Sequence, residues 1–178
     1  MPIVLPRAVI DTSVLFIVLG LNYIRQAHLP EPKRQSILTS LGDSALREHQ
    51  RRQDAYLQLV AGIRAPLITS HVVGELQGLQ TSRLGLGGDD VKYFWSHCVD
   101  FLLLKSFDER LVRLLDMHHG EDRERLRSIG PPDAGLIRLA LAEKCPILTN
   151  DVRTLMGRAR QAGVVCLIAR DLVVASPT

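Results

Sequence analysis

Residues 7–21 read RAVIDTSVLFIVLGL, and the way this stretch divides at Asp11 decides the fold. Arg7, Ala8, Val9 and Ile10 form a short apolar run of the kind that enters a sheet. The apolar segment after Asp11 reads as a helix. Further along the chain the same alternation continues. Residues 66–70 read as a second strand, followed by a helix that carries Glu75. A helix near 89–97 leads into a strand at 99–104, and another helix covers about 108–118. Pro131 and Pro132 open a helix that runs to about Lys144. A strand at 146–149, a helix at 152–160 and a last strand at 164–168 complete the pattern. Strands alternating with helices predict an α/β fold with a mainly parallel sheet covered on both faces.

The region between the first two strands departs from this rhythm. Residues 26–41 read as loose, with Pro30 and Pro32 as breakers. Residues 43–63 read as one long helix, apolar in its second half at Tyr56, Leu59, Val60 and Ile63. Its first half, REHQRRQD at 47–54, offers no face to a core. That half reads as a solvated projecting end, or as a contact for RNA or a partner. The organisation expected is one domain over 1–178 with an extended or inserted helical region at about 26–63. The glycine-rich stretch 85–88 lacks the lysine and spacing of a phosphate loop and reads as a connection.

The chain has 178 residues, 46% of them apolar but only 4% aromatic. The core is therefore expected to be Leu, Val, Ile and Ala. Nucleic-acid binding by stacking bases on aromatic side chains is disfavoured. The formal charge of +3 is a mild basic excess, compatible with an anionic substrate. Cys98, Cys145 and Cys166 are isolated and form no zinc or disulfide spacing, as expected in a reducing cytoplasm. The longest apolar run, 14–21, is short of the about 20 residues a bilayer demands, and no secretory leader is recognisable. A soluble, cytoplasmic protein with no membrane association is expected.

Four acids carry the candidate chemistry. Asp11 and Asp151 each follow a strand directly, and Asp133 lies in the first turn of its helix. In open α/β sheets ligands bind beyond the carboxyl ends of the strands, where Asp11 and Asp151 project if their strands are parallel. Taken singly, each of these three is more readily read as a helix cap. Glu75 falls at the edge of the stripe formed by Val72, Leu76 and Leu79, where a carboxylate is costly unless it is paired, as with a nearby arginine, hydrogen-bonded or bound to metal. His71 is the one possible cation between 71 and 79. If the four converge they repel one another, and a hard divalent ion such as Mg²⁺ or Mn²⁺ relieves the conflict. His118 and His119 are adjacent and point about 100° apart on a helix, a poor arrangement for one metal.

The motifs AVIDTSVL around Asp11, SHVVGEL around Glu75, PPDAGLIRLA around Asp133 and LTNDVRTL around Asp151 together resemble PIN-domain nucleases over nearly the whole chain. The resemblance implies a three-layer α/β/α sandwich around a sheet of about five strands, and Mg²⁺- or Mn²⁺-dependent cleavage of RNA phosphodiester bonds. It implies that Asp11, Glu75 and Asp133 are the main catalytic and metal-binding acids, with Asp151 as a fourth. Thr12 or Ser13 would support the site by hydrogen bonding to the first carboxylate or to metal-bound water, with Thr149 and Asn150 in lesser roles. Many members are VapC-like toxins paired with an antitoxin protein, and many form homodimers. This chain departs from those toxins in the longer segment between Asp11 and Glu75.

The expected reaction is hydrolysis by metal-activated water, with no covalent nucleophile. Ser13 lacks a GxSxG setting and is read as supporting. RNA phosphates would be held by basic residues, for which Arg25, Lys33, Arg34, Arg51, Arg52, Arg153 and Arg158 are candidates. Two other readings stay open. One is a non-catalytic PIN-like module that binds RNA or protein, and the other is a metal-dependent phosphatase.

Overall fold

The computed structural model describes residues 4–117 and 119–175, apart from the side chains of Leu114, Leu115 and Ala175. His118, half of the histidine pair considered above, lies outside the described residues. Among the described residues five strands form one parallel sheet in the order β3-β2-β1-β4-β5: β1 Leu5–Ile10, β2 Ile63–Thr69, β3 Asp108–Arg110, β4 Ile147–Thr149 and β5 Cys166–Ile168. Helices cover the sheet in a three-layer α/β/α arrangement, as the alternation of elements predicts. The order reverses direction between β1 and β4. That switch point opens a crevice at the carboxyl end of the sheet.

Helix α1 (Thr12–Gln26) follows β1 without a loop, and every residue from Val14 to Ile24 is buried. A helix apolar on all sides must be enclosed on all sides. Here α1 is surrounded by α2 (Glu31–Ser40), α4 (Gln50–Ala61), α5 (Ser70–Ser82) and α6 (Asp89–Leu104). The core is aliphatic for the most part, but Tyr23, Tyr56 and Phe94 are among its largest fully buried side chains. Among the described residues no helix is long and apolar enough to cross a membrane.

The region between β1 and β2 differs from its reading. Residues 31–40 are helical, because Pro30 stands at the N-cap and Pro32 falls in the first turn, where no N–H is needed. The long helix expected over 43–63 is broken at His49, which has extended backbone (φ −126°, ψ 98°), into α3 (Ala45–Glu48) and α4. The polar run at 47–54 is not wholly solvated either. Gln53 is only 4% exposed and donates from Nε2 to the Leu46 carbonyl at 2.6 Å.

The strand expected at 99–104 is instead the end of α6. An apolar run of that length fits either element, and burial of Phe94, Cys98 and Phe101 at helical spacing marks the helix. The third strand lies at Asp108–Arg110, where a helix was expected. As an edge strand it is polar and partly exposed, so it carries no apolar signal. Helix α7 (Gly120–Glu143) is interrupted at Gly130 (φ 80°, ψ 171°), and Pro131 starts its second half as expected. Helix α8 (Leu155–Gln161) leads to β5, and α9 (Ala169–Ala175), unanticipated, follows it.

Candidate functional site

The four acids reach one cleft by four different routes. Asp11 stands at the carboxyl end of β1, in the middle of the sheet. Its strand pairs with β4 in the register Ile10↔Leu148, so one step further on Thr149 lies beside Asp11. Asp151 follows β4 after Asn150. Glu75 sits one turn into α5, whose start is capped by the buried Thr69 side chain accepting from the Val72 N–H. Asp133 is presented by the first turn of α7 after its break at Gly130. All four carboxylates line a single cleft of about 850 Å³.

Hydrogen bonding around Asp11 is directional. Ser13 Oγ and Thr149 Oγ1 both donate to Asp11 Oδ2, at 2.5 and 2.6 Å. Each hydroxyl in turn accepts a backbone N–H from the turn after β4: Asn150 N to Ser13 at 3.0 Å, and Asp151 N to Thr149 at 2.8 Å. Each hydroxyl has one proton, and the backbone donors leave it free for Asp11. The other oxygen, Oδ1, has no side-chain partner among the described residues. Thr12 Oγ1 donates to Glu75 Oε2 rather than to Asp11.

The helix-cap reading separates the acids. Asp11 occupies an N-cap position without making a side-chain capping bond. Asp151 is not the cap of α8, whose N-cap is Thr154; it closes the turn before that helix, accepting from the N–H groups of Arg153 and Thr154 at 3.0 and 2.9 Å. Among the described residues Asp133 makes no side-chain hydrogen bond. Among the described residues none of the four is in an ion pair. Glu75 is exposed to the cleft rather than pressed against the core, so the burial argument made for it from the helix stripe fails. His71, its one nearby candidate partner, turns toward Gly135 on α7, and its Nδ1 is buried without a hydrogen bond.

The shared cleft has an electrostatic consequence. Burial pushes the Asp133 carboxyl up to about 7, and the charges of Asp11, Asp151 and Glu75 add to the rise. Asp11, 5% exposed, is also pushed upward by burial and by Asp151. The bonds from Ser13, Thr149 and the Thr12 backbone work against that rise. Among the described residues, no three acid, histidine or cysteine side chains already stand close enough to hold one ion. The acids lie within electrostatic reach of one another, each held back by its local bonds or by mutual repulsion. The donor set nevertheless suits a hard cation, being all oxygen, with no carboxylate paired to an arginine and with Asp133 half-buried and unpartnered among the described residues. Mg²⁺ keeps several waters and takes one or two carboxylates, so it does not require three ligands in advance.

The basic residues singled out from the sequence lie elsewhere. Arg25 pairs with Asp54, Lys33 with Asp90 and Arg52 with Asp43. Arg34 contacts Glu31 and Gln50, Arg158 bonds Gln161, and Arg51 lines a separate cleft between α4 and α9. Arg153 is exposed at the turn after Asp151. None of these seven lines the acidic cleft.

Two arginines that sequence reading passed over do line it, Arg83 just past the end of α5 and Arg170 at the start of α9. Both are exposed and unpaired among the described residues. Glu75, Gly78, Leu79 and Ser82 form one face of α5 along the cleft, leading toward Arg83. The spacing from Glu75 could have identified Arg83. Arg170 becomes adjacent only once β5 pairs with β4. Comparison of the chain with family models, with curated proteins and with solved structures finds no match.

Proposed function

We propose that this chain is a divalent-cation-dependent ribonuclease, hydrolysing RNA phosphodiester bonds in the manner of the PIN-domain nucleases its motifs resemble. One observation carries the reading. Four carboxylates from four separate elements line the crevice at the sheet's switch point, none is in an ion pair among the described residues, and burial, with the charges of the other three, pushes Asp133 up to about 7. Asp11, through Oδ1, and Asp133 are the natural first holders of Mg²⁺ or Mn²⁺, with Glu75 and Asp151 flanking them. When bound, such an ion supplies a more acidic water and offsets charge developing on the phosphate. The chain's own residues do the rest. Ser13 and Thr149 hold Asp11 through Oδ2, which leaves Oδ1 without a side-chain partner among the described residues, and Thr12 holds Glu75. Arg83 and Arg170 supply the positive charge that phosphates on either side of the cleavage point require.

The test is hydrolysis of single-stranded RNA, single-stranded DNA and a simple phosphate monoester with Mn²⁺, with and without chelator. RNA cleavage that chelator abolishes is expected. Asp11→Asn is expected to lower kcat by at least about a hundredfold, the order that loss of electrostatic stabilisation costs, while the thermal melt stays cooperative. Monoester turnover alone would make the protein a phosphatase. RNA binding with no Mn²⁺-dependent cleavage would make it a binding module.

A further inference from the structure

The helices between β1 and β2 reach the cleft through a buried chain of polar contacts. Tyr56 on α4 is 0% exposed. Its hydroxyl donates to Asp43 Oδ2 at 3.2 Å and accepts from Asn150 Nδ2 at 3.3 Å. Arg52 Nε donates to the same Asp43 oxygen at 2.8 Å, and the Ala45 N–H donates to Oδ1 at 3.2 Å. Beyond Asn150 the chain divides. Its backbone N–H donates to Ser13 Oγ, whose proton goes to Asp11. Its side-chain Oδ1 accepts the Arg170 N–H at 2.9 Å, in the first turn of α9.

The direction of every link follows from its ends. Asp43, in its ion pair with Arg52, accepts, so the Tyr56 proton points to it. The tyrosine oxygen is then left to accept from Asn150. That sets the amide with Nδ2 toward Tyr56 and Oδ1 toward Arg170. An apolar trio of similar volume would hold α4 to the core as well as this buried ion pair does. What the polar version adds is an orientation for Asn150.

We propose that Asp43, Arg52 and Tyr56 are positioning residues for Asn150. Through it they align the Asp11–Ser13 pair and the start of α9 that bears Arg170. None of the three lines the acidic cleft, so they act on the reaction at one remove. The inference rests on the ribonuclease reading and gives the long segment between Asp11 and Glu75 a task in it.

Tyr56→Phe in the full chain keeps the ring and removes the hydroxyl. The expected result is a folded protein whose Mn²⁺-dependent RNA cleavage loses about tenfold in kcat, the scale of one buried hydrogen bond, with KM within about twofold. Asn150→Ala should lose a similar amount, and the double variant no more than either single one, because both cut the same chain. In metal-free protein, amide hydrogen exchange at Asn150, Asp151 and Arg170 should quicken in Tyr56→Phe. Wild-type kcat and exchange in Tyr56→Phe, or single losses that multiply in the double variant, overturn the proposal. Should Tyr56→Phe not fold, Arg52→Gln at the far end of the chain carries the same two readouts. If the wild type cleaves no RNA, the ribonuclease reading falls, and the exchange measurement decides the positioning role.

Discussion

Asp133 concentrates the chemistry of the cleft in one side chain. It is half-buried and without a side-chain hydrogen bond among the described residues, and burial, with the charges of Asp11, Asp151 and Glu75, pushes it up to about 7. The sign for stability follows. Below about pH 4 the group is protonated in both folded and unfolded chains, and folding loses nothing. As pH rises through 7 the folded chain must release a proton the unfolded chain released earlier, so stability falls over that interval. Asp133→Asn mimics the neutral form. Above pH 7, without metal, it should melt about 2–4 °C higher than wild type, equivalent to about 1 kcal/mol once solvent screening of a half-exposed group is discounted. The two melting curves should converge toward pH 4. An offset independent of pH would show that the carboxyl is not held against its neighbours. Mn²⁺ should stabilise the wild type more than the variant, since the variant lacks the charge the ion relieves.

At the scale of elements, the site depends on breaks and junctions more than on helices and strands themselves. Gly130 has φ 80° and ψ 171°, a region open almost only to glycine, and it separates the charged first half of α7 from the half that carries Asp133. Gly130→Ala should cost about 1–3 kcal/mol and lower the melting temperature accordingly. Because the strain lies three residues before Asp133, Mn²⁺ binding should weaken too. Unchanged stability would mean that the break is not needed. This junction was legible in the sequence, since Gly130 followed by two prolines marks a helix start. The break at His49 was not. Nothing local disfavours helix across 43–63, and the bend exists because Asp43 and Gln53 find partners in the folded chain. The same limit applies to β3, whose edge position removes the apolar pattern on which strand reading depends.

The whole molecule is mildly basic, yet Arg25, Lys33, Arg34 and Arg52 are tied to carboxylates, and Arg51, Arg153 and Arg158 lie off the acidic cleft. On the proposed ribonuclease reading, RNA binding would fall to Arg83 and Arg170, the arginines that line the cleft. One follows α5 on the β2 side of the switch point, and the other follows edge strand β5. Arg83→Gln and Arg170→Gln should each raise KM for RNA and reduce the salt dependence of binding by about one unit of slope. Each should leave hydrolysis of a small phosphodiester within about twofold of wild type. A variant that lowers kcat on the small substrate equally would place the arginine at the reacting phosphate instead.

The α/β alternation, strands β1, β2, β4 and β5 and the apolar character of α1 are written locally, in apolar periodicity, and the acids at strand ends are visible there too. These are interactions between neighbours in the chain, and periodicity records them. The bonds of Thr12 to Glu75 and of Thr149 to Asp11, the partnership of Tyr56 with Asn150 and the arrival of Arg170 at the cleft were decided only in three dimensions. Each joins residues far apart in the chain, Thr149 to Asp11 through the pairing of β1 with β4 and Arg170 to Asn150 through that of β4 with β5, and hydrogen bonds across such distances leave no periodic trace.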